Sequence, residues 1–227
     1  MISIKNVCHK YGQKKVLDQV TFEIEPGQIT CLIGLNGSGK STIMNLIMKL
    51  IPLQDGDILL DDQSLTPTDF NRIAYIPDQI IVLQSMTIQE ALDYMDRYYT
   101  VFNQVKASEL IEFFKLNRQD KISSLSKGNV AKVNLLLGLS LDTDYLLMDE
   151  PFSGIDAIAR EQIVQVFNSK LIENRGVLLS THEIIDIEHL IDKAVILSDG
   201  KVIKSFNPDQ MRSEEGKAII DVMREVY

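Results

Sequence analysis

Apolar residues recur at every second position in two early stretches of the chain. Residues 2–7 and 16–24 alternate in this way, the pattern of strands with one buried face. Glu25-Pro26-Gly27 marks a turn before an unbroken apolar run, Ile29 to Leu35, which reads as a buried strand. The period then changes. From Thr42 to Leu50, Ile43, Met44, Leu46 and Ile47 recur at helical spacing. Pro52 to Asp57 is turn-rich, and short strands are expected around Ile58 to Leu60 and from Arg72 to Ile76, where Pro77 stops the second. Thr87-Ile88-Gln89-Glu90 has the form of a capping box and predicts a helix through about Tyr99, followed by another from Val105 to Leu116. Residues 87 to about 120 thus read as an all-helical insert.

Beyond the insert, helix and strand alternate. A helix is expected from Ser126, then a strand at 144–149, a helix at 156–172, a strand at 177–180, a helix at 183–191 and a strand at 194–198. Asp199-Gly200-Lys201 turns into a further strand. Such alternation predicts an α/β fold whose sheet is mostly parallel, with helices on its faces. The tail 214–227 sets Ala218, Ile219, Val222, Met223 and Val226 at helical spacing, an apolar face expected to cover its own domain.

Composition narrows the setting. With 227 residues, 45% of them hydrophobic and 24% charged, the chain can bury a substantial core. Its net charge of −9 argues against a nucleic-acid surface, which needs a basic face. Cys8 and Cys31 lie in strand-like apolar segments and read as buried, inert thiols in a reducing cytoplasm. Met1 opens directly into Ile2-Ser3-Ile4, so no signal peptide is expected, and no uncharged apolar run reaches the roughly 18 residues of a membrane span.

The chemistry begins at Gly34-Leu35-Asn36-Gly37-Ser38-Gly39-Lys40-Ser41, followed by Thr42. This is G-x-x-x-x-G-K-[ST], flanked by the required strand and helix. Glycines let the backbone turn successive N–H groups toward a polyphosphate, and the helix N-terminus adds partial positive charge. Lys40 would reach the β- and γ-phosphates and Ser41 would ligand Mg²⁺. A second motif, Tyr145-Leu146-Leu147-Met148-Asp149-Glu150, delivers two adjacent carboxylates at the end of a buried strand, where ligands bind in open α/β sheets. Asp149 suits the outer sphere of Mg²⁺, and Glu150, on the other side of the backbone, could polarise a water for attack on the γ-phosphate.

At Leu125-Ser126-Lys127-Gly128-Asn129, opening a helix, the chain resembles the ATP-binding subunits of ABC transporters, whose signature sequence there reads L-S-G-G-Q. The resemblance spans almost the whole chain. Tyr11 matches the aromatic that stacks on adenine, Ser153-Gly154-Ile155-Asp156 the D-loop, and Thr181-His182 the switch histidine. It implies a P-loop NTPase core with a mostly parallel sheet, an antiparallel β subdomain at the N-terminus and an α-helical subdomain insert. The expected division is one ABC-type ATPase domain over 1–227: 1–86 and 142–213 as core plus β subdomain, 87–141 as the helical subdomain, and 214–227 as a C-terminal helix. The cofactors implied are ATP and Mg²⁺.

The resemblance also implies how these residues are shared. Lys40, Ser41, Asp149, Glu150 and His182 would act on the ATP of their own subunit. Ser126, Gly128 and Asp156 would act in trans on the ATP of the opposite one, in a head-to-tail homo- or heterodimer. The expected partner is a membrane-spanning permease subunit on a separate chain, docking against the helical insert and the segment after Ile76, at the cytoplasmic face of the membrane. Two departures stand out. Lys127 and Asn129 replace a Gly and the Gln of the signature, although Ser126 and Gly128 are kept, and a lysine there can add attraction to the γ-phosphate. After Ala74-Tyr75-Ile76-Pro77, the family's usual Gln is Asp78, with Gln79 next; either could sense Mg²⁺ and the attacking water, and the acidic residue weakly favours an export-type system. The alternatives are a weakly hydrolysing regulatory partner and an ABC-type ATPase of a non-transport process. A P-loop kinase or GTPase would have no use for L-S-x-G.

Overall fold

A computed structural model describes residues 1–80, 82–169, 172, 174–182 and 184–226. Two sheets face each other. The smaller is antiparallel, in the order β2 (Lys14–Ile24), β1 (Ile2–Tyr11), β4 (Asp55–Leu60), β5 (Gln63–Ser64). The larger runs β10 (Lys201–Phe206), β9 (Lys193–Ser198), β3 (Ile29–Ile33), β8 (Gly176–Thr181), β7 (Tyr145–Asp149), β6 (Ile73–Ile76). All its neighbours pair in parallel except β10, which returns antiparallel along β9. The sheet is therefore mostly parallel, as the alternation of elements predicts.

Both faces of the large sheet are buried, which is why its strands read as continuous apolar runs. On one face Leu32, Leu147, Leu178 and Val195 pack with Ile2, Ile4, Val20 and Phe22 of the small sheet, and with Ile43, Met44 and Ile47 of α1 (Lys40–Ile47). On the other, Cys31, Ile33, Leu146, Met148, Val177 and Leu179 meet a helical layer. That layer contains α2 (Ile88–Tyr98), α3 (Gln104–Phe114), α4 (Lys127–Leu139) and α5 (Ala157–Phe167). The capping box forms: Thr87 N–H donates to Glu90 Oε2 at 2.7 Å and Glu90 N–H to Thr87 Oγ1 at 3.2 Å.

Helix α4 crosses β6 closely. A Cβ at Gly138 would lie 2.3 Å from Ile76 Cγ1, and one turn earlier Asn134 Nδ2 donates to the Pro77 carbonyl at 2.5 Å. The helix thus grips the strand and the loop that leaves it. Gly138→Ala is expected to destabilise the fold by about 1–3 kcal/mol, the usual cost of overpacking a fixed core contact. Thermal denaturation checks this, and an unchanged midpoint would mean that α4 and β6 can move apart freely.

Several elements differ from the sequence pattern. The helix expected at 183–191 is replaced by turns and a short 3₁₀ segment, Glu188–Leu190; Glu183 itself lies outside the described residues. Ile184, Ile185 and Ile187 are β-branched and resist helix, while Ile184, Ile187 and Ile191 are buried by successive i→i+3 turns instead. The helix expected to 172 stops at Phe167, where Asn168 caps it and the Ser169 hydroxyl donates to the Val166 carbonyl. The C-terminal helix does not start at 214. A separate helix α6 (Pro208–Glu215) ends at Gly216 (φ 67°), and α7 (Ile219–Val226) follows, with Ile219 and Val222 buried. A 3₁₀ segment, Pro67–Arg72, and the short β5 had no counterpart in the expected pattern.

Candidate active site

The strand β3 ends at Ile33 and the loop Gly34 to Gly39 leads into α1. The loop needs its outer glycines for space. A Cβ at Gly34 would lie 2.5 Å from the Leu197 carbonyl and 2.5 Å from Ser38 Oγ; at Gly39, where φ is 113°, it would lie 2.6 Å from Leu17 Cδ2. Ser38 N–H closes the turn on the Leu35 carbonyl at 3.1 Å, and Ser38 Oγ is buried without a hydrogen-bond partner. Lys40 is 6% exposed. Its Nζ donates to the Gly34 carbonyl at 2.7 Å and the Leu35 carbonyl at 3.4 Å, and lies 3.3 Å from Glu150 Oε1. Ser41 is exposed in the first turn of α1, and Thr42 is buried.

The two carboxylates lie where β7 ends. Asp149, 2% exposed, accepts from Ser180 Oγ at 2.5 Å. Glu150 leaves the strand with φ 48°, a left-handed conformation that costs a non-glycine residue strain. Its N–H bonds both the carbonyl and the hydroxyl of Ser180, at 3.1 and 3.0 Å. Glu150 Oε2 is 2.8 Å from His182 Nδ1, while Oε1, beside Lys40, is buried without a hydrogen bond. The Glu150 carboxylate is thus held between His182 on one oxygen and the Lys40 ammonium on the other. Cys31 lies beneath this cluster. Burial pushes its thiol far above the usual range, the Glu150 charge adds to that and Lys40 opposes it, so the thiol stays protonated and inert.

The other expected site residues fall in three places. Tyr11 ends β1, half exposed, its ring meeting His9 edge-on at 4.8 Å. A cavity of about 270 Å³ next to the phosphate loop is lined by Lys14, Lys15, Val16, Leu35, Asn36, Gly37, Ser38 and Ser198 to Gly200. Asp78 and Gln79 are both exposed beyond Pro77. Tyr75 faces Asp78 and Asp149; burial first, then these two charges, push its hydroxyl pKa upward. Ser126 caps α4, its hydroxyl accepting from Asn129 N–H at 3.3 Å, and Asp156 caps α5, accepting from Ala159 N–H at 2.9 Å. Gly128 joins them, for a Cβ there would lie 2.8 Å from Ala159 Cβ and 3.2 Å from Asp156 Oδ2. Among the described residues no hydrogen bond or ion pair links Ser126–Asn129 to the loop 34–41. Two groups result: Lys40, Asp149, Glu150 and His182 converge, and Ser126, Gly128 and Asp156 form a second patch.

Sequence reasoning missed two contributors. Val16 and the Ser198–Gly200 turn line the cavity because Gly200 closes on β2: a Cβ there would lie 2.3 Å from the Val16 carbonyl, and Asp18 N–H donates to the Gly200 carbonyl at 2.8 Å. Long-range pairing of this kind leaves no local signal. Ser180 did leave one, a small polar residue inside the apolar strand Gly176–Thr181.

A glycine-lined phosphate loop opening a helix, beside two carboxylates at a parallel strand end, defines a P-loop nucleotide site on a P-loop NTPase fold. The family model described as ABC transporter matches residues 17–153. The "ABC transporter ATP-binding protein YtrB" of Bacillus subtilis is 29% identical over 217 residues, 94% of this chain and 74% of that one. A solved structure described as "Structure of ATP binding subunit of ABC transporter" superposes with a TM-score of 0.87 at 27% identity, covering 99% of this chain and 98% of the other. Another, "Dimeric Structure of MJ0796, a Bacterial ABC Transporter Cassette", gives 0.77 at 25% identity over 91% and 98%. The chain belongs to the ABC transporter family. It is an ATP-binding, ATP-hydrolysing subunit, and the expected fold class holds.

Proposed function

We propose that the chain energises a transporter by closing head to tail on a second ATPase subunit with ATP at the seam, and by opening when Glu150 directs hydrolysis. The observation that carries this reading is the split of the site into two patches. Lys40, Ser41, Asp149, Glu150 and His182 serve the subunit's own ATP, with Gly34 to Thr42 wrapping the phosphates beside the 270 Å³ cavity and Tyr11 taking the part of the aromatic that stacks on adenine. Ser126, Gly128 and Asp156 present a capped helix N-terminus with no phosphate loop of their own chain against it. Their ligand is then the γ-phosphate of the opposite subunit, in keeping with the dimeric cassette this chain resembles.

The residues present fit Mg²⁺. The Ser41 hydroxyl and the Asp149 carboxylate are hard oxygen donors, and among the described residues no cluster of three His, Cys, Asp or Glu forms a closed cage. Mg²⁺ needs no such cage, since it binds through one or two protein oxygens together with substrate phosphates. When bound, it would neutralise charge on the β- and γ-phosphates. Glu150 then takes the proton of the attacking water, and His182 fixes the orientation of Glu150 through the 2.8 Å contact.

The permease partner is proposed to dock on the helical layer near the loop after Ile76. Leu83, Tyr94, Tyr98 and Tyr99 are exposed in this region, with the Tyr94 and Tyr98 rings 4.7 Å apart. No helix among the described residues is long and apolar enough to cross a membrane, and a peripheral position at the cytoplasmic face follows from the docking. Co-purification from detergent-solubilised membranes tests this. A membrane-spanning partner should be retained by the wild type and lost with Tyr98→Glu, while the ATPase of the free subunit is unchanged.

Asp78 is proposed as the residue that senses the metal. Asp78→Asn should then shift the Mg²⁺ dependence of turnover to higher concentration and lower the maximum, with Gln79→Ala near wild type. ATPase measured against Mg²⁺ decides. The reverse pattern gives the role to Gln79, and two wild-type curves remove both from the site.

A further inference from the structure

We propose that Ser180 is a positioning residue that sets both carboxylates of the site at once. The inference rests on the proposed roles of Asp149 and Glu150. Ser180 is fully buried, in the strand β8 whose register places it directly opposite Asp149. Its hydroxyl has one proton and two lone pairs. The proton goes to Asp149 Oδ1 at 2.5 Å, the short range of a charge-assisted bond. A lone pair accepts the Glu150 N–H at 3.0 Å. One oxygen atom therefore ties the metal-side carboxylate to the backbone of the base-side residue.

This arrangement answers a geometric demand. Adjacent residues on a strand point to opposite faces, so Asp149 and Glu150 could not both serve one phosphate if the strand continued. The chain breaks from the strand at Glu150, with φ 48°, and brings the second carboxylate round toward His182 and Lys40. The Ser180 hydroxyl adds a second acceptor for the N–H at that break and holds the Asp149 carboxylate in one rotamer. Alanine would leave Asp149 Oδ1 buried without this donor. Outer-shell partners of this type commonly govern metal affinity or activity by about 10–100-fold.

The test uses the full chain with a non-hydrolysable ATP analogue, titrated by calorimetry with and without Mg²⁺. Ser180→Ala should bind the Mg²⁺-free analogue like wild type, while the gain in affinity that Mg²⁺ confers shrinks by about 10-fold or more. Turnover should fall by about 10–100-fold, mostly in kcat. If Ser180→Ala does not fold, Ser180→Cys keeps the volume with a weak donor and should lose the same gain. An unchanged Mg²⁺-dependent gain overturns the proposal, whatever happens to the melting temperature. Asp149→Asn is run alongside. Should it too keep the full gain, the assignment of Asp149 to the metal fails and the role of Ser180 falls with it; if Asp149→Asn loses the gain that Ser180→Ala keeps, the role of Ser180 alone fails.

Discussion

Replacing Glu150 with glutamine is expected to lower ATP turnover by about 10²–10⁴-fold, equivalent to about 3–5 kcal/mol of barrier, and to leave ATP binding intact. Glutamine keeps the length and hydrogen-bonding reach of the side chain. It removes the basicity, and with it the negative charge 3.3 Å from Lys40 Nζ and 2.8 Å from His182 Nδ1. Lys40 then has one less competitor for the phosphates, so affinity for ATP should hold or rise. Because release depends on hydrolysis, the ATP-bound dimer should accumulate. Size-exclusion chromatography of Glu150→Gln with Mg²⁺ and ATP should show the dimer, and Gly128→Glu in the same background should abolish it. A monomer under saturating ATP would sink the reading of Ser126, Gly128 and Asp156 as residues that act in trans. A Glu150→Gln enzyme with undiminished turnover would show instead that Glu150 is not the base.

Much of this site could be read before any fold was known, and the reason is local. The phosphate loop must be glycine-rich because Gly34 and Gly39 leave no room for a Cβ, so steric need writes itself into consecutive letters. The carboxylates Asp149 and Glu150 follow an apolar strand, and the caps Thr87, Ser126 and Asp156 each hold an N–H within their own first turn. What escaped the sequence is set across the chain. The Gly200 turn reaches β2 from the far end of the fold, and Ser180 meets Asp149 only through parallel pairing of β7 with β8. In the helix expected at 183–191, three buried isoleucines, Ile184, Ile187 and Ile191, mimic a helical face while the backbone of 184–191 makes turns. The converse holds at α6, where Asn207-Pro208 is an N-cap followed by proline at the first helical position, a start signal without apolar periodicity behind it.

Lys40→Ala should weaken ATP binding by about 10²-fold or more, about 3 kcal/mol, since charged hydrogen bonds to phosphate rank among the strongest single contacts a protein makes. The backbone cradle of Gly34 to Ser41 would remain, so a residual affinity is expected. In the structure, Lys40 Nζ is held by the Gly34 and Leu35 carbonyls at 2.7 and 3.4 Å, with Glu150 Oε1 at 3.3 Å. The ammonium is thus already desolvated and aimed across the mouth of the loop, and little side-chain entropy is left to lose when phosphate arrives. Alanine also removes the positive charge that offsets Glu150, so the carboxylate would repel the incoming triphosphate. Both effects act in one direction. Calorimetry with Mg²⁺ and ATP measures the affinity directly, and the rise in melting temperature that ATP gives the wild type should vanish in the variant. Wild-type affinity in Lys40→Ala would mean that ATP binds somewhere other than the loop 34–41.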